Sequence, residues 1–236
     1  MSEKDQGQAH AINKGLTHCT GEIFNWLNSV DYLEQGALFK IAEAFEEEQV
    51  QLVAGVVCNF LNTEIEIIPN QYLSAEGLMC WYPGVKFVQP GVWMRKDLIR
   101  QCGGIDEQFH YSFDWDLYIR YLYHFPFVKE ISDIIVHFRL HDNSKTQSMQ
   151  EEFIVEERKI IEKISKLEGF DNLHKICQFK IQKTGWTDYL SQLSKSSEPF
   201  LNKVVKVFFK MPIYIEVSFS IQTLGAIRAL WNKKVI

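Results

Sequence analysis

The sequence predicts an α/β fold in which helices flank a sheet and a helical appendage follows. Three observations carry this. Helical and strand-like segments alternate through the first third of the chain. The run "VQLVAGVVCNFL", Val50 to Leu61, is β-branched and continuous, as a strand buried on both faces must be. From Gln147 onward the pattern turns almost wholly helical. With 236 residues, 46% hydrophobic and 14% aromatic, the chain can bury a large core, and one domain plus an appendage is the natural division.

The elements follow in order. Gln8 to Cys19 has helical spacing through Ala11, Ile12 and Leu16, and Gly21 breaks it. Residues 22–27 read as a short strand, and residues 34–48 as an amphipathic helix ending in three glutamates. After the Val50–Leu61 strand, "TEIEII" alternates and fits an edge strand. This alternation of helix and strand suggests parallel neighbours. "QPGVWMRKDLIRQCGG" reads as a short strand, then a helix from Lys96 stopped by Gly103 and Gly104. Asp114 to Phe125 is helical and apolar around most of its circumference, and "DIIVHFRLHDNSKT" is a strand running into a polar turn. Helices are expected through the remainder, with Pro199 and Pro212 as punctuation. The domain boundary is expected at 146/147.

Composition excludes several classes. A net charge of −5 speaks against nucleic-acid binding. Five cysteines without a CxxC pair argue against a zinc knuckle or a disulfide framework and read as small buried hydrophobes in a reducing compartment. The N-terminal stretch is polar and resembles neither a signal peptide nor an anchor, and no charge-free run is long enough to span a bilayer. A cytoplasmic location is expected, with one qualification from the last stretch. Lys203 to Ile236 holds six basic residues against Glu216 alone, interleaved with aromatics. Such a tail suits an anionic membrane surface at the inner face of the plasma membrane, or packing on its own domain or a second subunit.

Four polar clusters interrupt the apolar elements. Asp31 stands at the carboxyl end of a predicted strand, where α/β sheets bind ligands, and equally where a helix cap would stand. Asp114 stands at a helix start, where it would cap the helix or point into a cleft, and Asp116 and Arg120 four residues apart can pair, as surface salt bridges do. A strand delivers His137, Arg139 and His141 to one side. Asp5, Asn13 and Lys14 surround the first helix. These residues by themselves describe an α/β domain with an oxygen-rich site for a metal or a phosphate.

The order and spacing of the clusters resemble glycosyltransferase family 2, inverting enzymes of the GT-A fold. "DQGQAHAINKGLTHCTGEIFNWLNSVD" is similar to the family's segment that ends in its acidic metal motif. "QPGVWMRKDLIRQCGGIDEQFHYSFDWDLYIRYL" is similar to the segment bearing the catalytic aspartate, and "FRLHDNSKT" to the basic tail behind it. The resemblance covers about Glu3 to Thr146. It implies a mixed, Rossmann-like GT-A sheet and transfer of a sugar from a nucleotide-diphosphate donor to a saccharide or lipid-linked acceptor, as in polysaccharide or glycolipid synthesis. It further implies Asp31 and His141 at a Mg2+ or Mn2+ ion, Asp114 as general base, and Arg120, Asn13 and Lys14 near the donor diphosphate. Trp93 and Asp116 are implied on the acceptor side, with core packing as the competing reading for Trp93.

Two departures set the alternative. Val30 occupies a position where the family usually has a second acid. The family's opening half, which holds the base and ribose of the nucleotide, has no counterpart before "EKDQGQ". The sheet is therefore expected to be an incomplete GT-A sheet, and the chain either a fragment, a partner-completed enzyme, or an inactive acceptor-binding or interaction module.

Overall fold

The computed structural model describes residues 4–61, 64–139 and 150–218. Its contacts divide the chain into Met1–Glu157 and Arg158–Ile236, a boundary that falls inside a helix. The first unit holds α1 (Gln8–His18), β1 (Ile23–Phe24), β2 (Tyr32–Leu33), α2 (Ala37–Ala44), β3 (Leu52–Leu61), β4 (Glu64–Pro69), α3 (Ala75–Cys80), β5 (Val92–Arg95), α4 (Lys96–Gln101), α5 (Phe113–His124) and β6 (Val128–Arg139). The next helix, α6 (Gln150–Ile164), begins in this unit.

The strands form one six-stranded mixed sheet in the order β1-β5-β3-β6-β2, with β4 on the same edge of β3 as β5. Among the described residues only β3 and β6 are parallel neighbours, from Leu52 beside Val128 to Phe60 beside Arg139; the other pairings are antiparallel. The parallel expectation thus holds for one pair, and the mixed sheet implied by the resemblance is the one observed. Because β5 is antiparallel to both β1 and β3, the strands β1, β3 and β6 all run the same way.

Strand alternation sorts the two faces. Val53 and Val57 of β3 pack with Ala37, Ile41, Ala44 and Phe45 of α2. On the opposite face α5 lies against β5, where the Tyr118 hydroxyl donates to the Val92 carbonyl at 3.1 Å. From Trp115 to Leu122 every α5 residue is buried. Such a helix has no polar face to spare, so its two internal charges must pair with each other.

Differences from the expected boundaries have local causes. The helix expected over 34–48 is only Ala37–Ala44, because the Glu34 N–H extends the β2 pairing to the Ile135 carbonyl at 3.0 Å. Of the cysteines, Cys58, Cys102 and Cys177 are buried as expected, whereas Cys19 is exposed at the end of α1.

The second unit holds the rest of α6, then α7 (Asp171–Lys195), α8 (Phe200–Lys210) and the short α9 (Ile215–Ser218). Its core is Trp186, Leu190, Leu193, Val207 and Val217. No helix among the described residues is long and apolar enough to cross a membrane.

Candidate active site

Asp31 lies in the turn between β1 and β2. Its Oδ2 accepts from the Asn28 N–H (3.2 Å) and the Asn28 side-chain amide (3.0 Å), and its Oδ1 accepts from the Arg139 N–H (3.2 Å). Asp31 caps no helix, since the N-cap of α2 is Gly36, with a left-handed φ of 78°. Arg139 ends β6, so Asp31 sits at the carboxyl end of the β1/β3/β6 set, the end where open α/β sheets bind ligands. Beside it the exposed Tyr32 ring stacks on His137 at 4.6 Å, and His137 bonds Glu34 at 2.7 Å.

Asp114 is the second residue of α5, whose N-cap is Ser112, so the capping reading fails here too. Its Oδ1 accepts from the Trp115 N–H at 2.8 Å. Packing around the side chain strips water from the carboxylate and raises it to about 6, with a smaller push from the negative charge of Glu156. Helix α5 runs with Tyr118 against Val92 and with the Tyr121 hydroxyl donating to the Gln51 carbonyl, just before β3. Its first turn therefore points to the carboxyl end of β3, the end that carries Asp31.

Side-chain contacts join the two turns. The Trp26 ring packs on Phe113 (6.1 Å) and Tyr118 (6.3 Å). Gln8 at the start of α1 donates to the Asn28 side-chain oxygen at 3.2 Å, and Gly7 lies against His110. The beginnings of α1 and α5 and the 26–31 turn thus form one rim.

The other described candidates have the following surroundings. Arg120 bonds Asp116 through Nε (3.0 Å) and Nη2 (2.5 Å), and donates to the carbonyls of Cys102 and Gly104. Asp116 is wholly buried beneath it, so the pair is an internal clamp on the Gly103-Gly104 turn rather than a surface bridge. Asn13 donates to the Ile105 carbonyl (2.9 Å) and to Glu107 (2.8 Å), tying α1 to the loop before α5. The Lys14 ammonium lies 3.4 Å from the Lys4 carbonyl. Trp93 faces the α2 side of β5, opposite Val53, and packs into that core, so the structure does not bring it together with Asp114. His141 lies outside the described residues.

Among the described residues no three His, Cys, Asp or Glu side chains converge to hold a metal. A single carboxylate at the right end of the sheet is nonetheless a fit for Mg2+, which is commonly held by one or two carboxylates together with substrate phosphates. Asp31 is the described residue that would hold it.

Residues 1–103 match the model of the family "Glycosyl transferase family 2". The match covers less than half of the 236 residues. No curated protein matches the chain in sequence. Among solved structures, residues 1–349 of S. aureus TarS in complex with UDP-GlcNAc align at 12% identity with a TM-score of 0.58, over 79% of this chain and 55% of that one. Residues 1–349 of S. aureus TarS in a second structure align at 12% identity and 0.55, over 84% and 57%. S. aureus TarS in a third structure aligns at 13% identity and 0.53, over 74% and 30%. At such identity the likeness is one of fold, which is of the GT-A type. The chain spans about half the length, or less, of these structures.

The family 2 match ends before α5, so Asp114 is supported by the sheet geometry rather than by that match. One residue escaped the sequence reading. Glu156 lies on the stripe Phe153, Glu156, Ile160, Ile164 of α6, and its side chain is buried. A carboxylate in an apolar stripe was the available signal.

Proposed function

We propose that this chain carries the acceptor-side chemistry of an inverting nucleotide-sugar glycosyltransferase. The observation that carries the reading is that Asp31 and Asp114 flank one rim at the carboxyl end of β1, β3 and β6, with Asp114 raised to about 6. A carboxylate with a raised pKa is a stronger base and is still ionised near neutral pH. Asp114 takes the proton of the acceptor hydroxyl as that oxygen attacks the anomeric carbon from the face opposite the leaving diphosphate. Asp31 would hold Mg2+ or Mn2+; when bound, the ion neutralises charge on the leaving diphosphate. The donor class follows the TarS complex with UDP-GlcNAc, which makes that compound the first probe. Titration calorimetry with UDP and Mn2+ tests the donor side: binding that is lost in Asp31→Ala supports the reading, and no binding by the wild-type chain overturns it.

One observation favours a second reading. Val30, where the family usually has an acid, is exposed beside Asp31 and offers a cation nothing. A chain that binds saccharide acceptors yet releases no UDP would be the inactive acceptor-binding module.

The exposed apolar face of α8 supports a place at an anionic membrane. Leu201, Val205, Phe208 and Phe209 project along one side; on the other, Lys203 donates to the Ser194 and Ser196 carbonyls, Lys206 pairs with Glu198 and Lys210 lies over the Tyr189 ring. Co-sedimentation with phosphatidylglycerol vesicles that weakens with salt is expected, and binding that ignores salt and lipid charge would count against it.

A further inference from the structure

We infer that Glu156 is a positioning residue for Asp114, holding the turn that launches α5 and aims the proposed base. This rests on the reading of Asp114 as that base.

Helix α5 begins without the usual side-chain cap. Ser112 stands at the N-cap, but its hydroxyl makes no cap bond and has no partner among the described residues. The main-chain donors leading into the helix are satisfied from another element. Oε1 of Glu156 accepts from the His110 N–H at 2.7 Å, and Oε2 accepts from Tyr111 (2.7 Å) and Ser112 (2.9 Å). One turn back along α6, Phe153 packs edge-on against the Tyr111 ring at 5.6 Å. A buried carboxylate is tolerated when main-chain donors surround it, and such charge-assisted bonds are short and directional. The three-residue turn is thereby fixed from outside its own helix.

Asp114 follows this turn by two residues, so a shift of the turn moves the carboxyl of the base. Displacements near 1 Å at a reacting group cost on the order of a hundredfold in rate. Glu156 acts in charge as well, adding its negative field to the desolvation that raises Asp114. Two further ionisable groups near Asp114 lie on α5 itself. Asp116 is ion-paired with Arg120, and the Tyr118 hydroxyl donates to the Val92 carbonyl. What α3 and β5 present to α5 here is the main-chain carbonyls of Leu78 and Val92.

The test uses the full chain with Glu156→Gln and Glu156→Asp. The Asp114 carboxyl is titrated by carbon-13 NMR and assigned with Asp114→Asn, and amide exchange is followed at Tyr111 and Ser112. In Glu156→Gln the Asp114 midpoint should move below about 6 and both amides should exchange at least tenfold faster. Release of UDP from UDP-GlcNAc should fall at least tenfold in kcat with little change in donor KM, and Glu156→Asp should recover part of it. An unmoved midpoint with unchanged exchange in a folded Glu156→Gln overturns the proposal, as does a loss confined to KM. Should Glu156→Gln not fold, Glu156→Asp decides it through amide exchange, unchanged protection being the negative result. Full turnover in Asp114→Asn would instead sink the base reading, while the titration and exchange would still report the coupling to Glu156.

Discussion

Asp114 and Asp116 stand two residues apart in the first turn of α5, and they lead opposite lives. Asp116 points inward, wholly buried, and meets the guanidinium of Arg120, which also closes the turn at Cys102 and Gly104. Asp114 sits on the rim shared with Asp31, crowded enough to lose water, and the charged neighbour that acts on it is another carboxylate, Glu156. Burial beside a cation turns a carboxylate into a structural clamp. Burial without one raises its pKa and leaves it ready to accept a proton, at a cost in stability. The same residue type, at nearly the same place in the sequence, is sorted by helical phase alone.

Exchanging the charge at either position should separate the two roles. Asp114→Asn should lower transfer by about 10²- to 10⁴-fold, the usual worth of a general base, with UDP affinity unchanged; a product assay with UDP-GlcNAc alongside calorimetry checks both. Asp116→Ala should act on the fold instead. Removing one partner of a buried pair leaves Arg120 uncompensated and should cost about 3–5 kcal/mol in urea unfolding. A loss below 1 kcal/mol would dissolve the contrast.

The pH dependence of stability sharpens it further. Folded Asp114 keeps its proton up to about pH 6, whereas a carboxyl at its ordinary value of 3.8 has already lost it. Between those values the native chain binds more protons than the unfolded chain, so this group erodes stability as pH rises. The erosion is complete above about pH 6 and amounts to at most about 3 kcal/mol. Asp114→Asn should therefore be more stable than wild type by up to that amount near neutral pH, and should match it near pH 4. Unfolding curves at the two pH values check this, and equal stability at both would mean that the carboxyl is not raised. The smallest effect is expected at Trp93, whose indole N–H is buried without a partner among the described residues. Trp93→Phe should change stability by less than about 1 kcal/mol and leave saccharide binding untouched, because the ring packs beneath α2.

Much of the architecture was legible because it rests on local pattern. The β-branched run from Val50 found β3, the Gly103-Gly104 pair stopped α4 with φ values of 93° and 70°, and the apolar circumference of α5 announced its burial. Asp31 and Asp114 were legible as candidates because strand ends and helix starts are where polar residues carry meaning. Less was legible where a distant segment decides. The sequence could pair Asp116 with Arg120 but could not bury them, since burial depends on the loop from Cys102 to Gly104 folding over α5. Trp93 was open between core and acceptor because its face is set by the pairing of β5 with β3.

The sequence by itself determined the longer helices and strands, that two carboxylates head the α5 region, and that Asp31 follows the first strand. These follow from periodicity and from residue chemistry within a few positions. Only the tertiary structure decided that Asp31 and Asp114 share one rim, that Asp116 belongs to the interior, and that Glu156 holds the turn before the proposed base. Each of those depends on contacts between residues far apart in the chain, and side-chain spacing along one segment holds no information about which segment will pack against it.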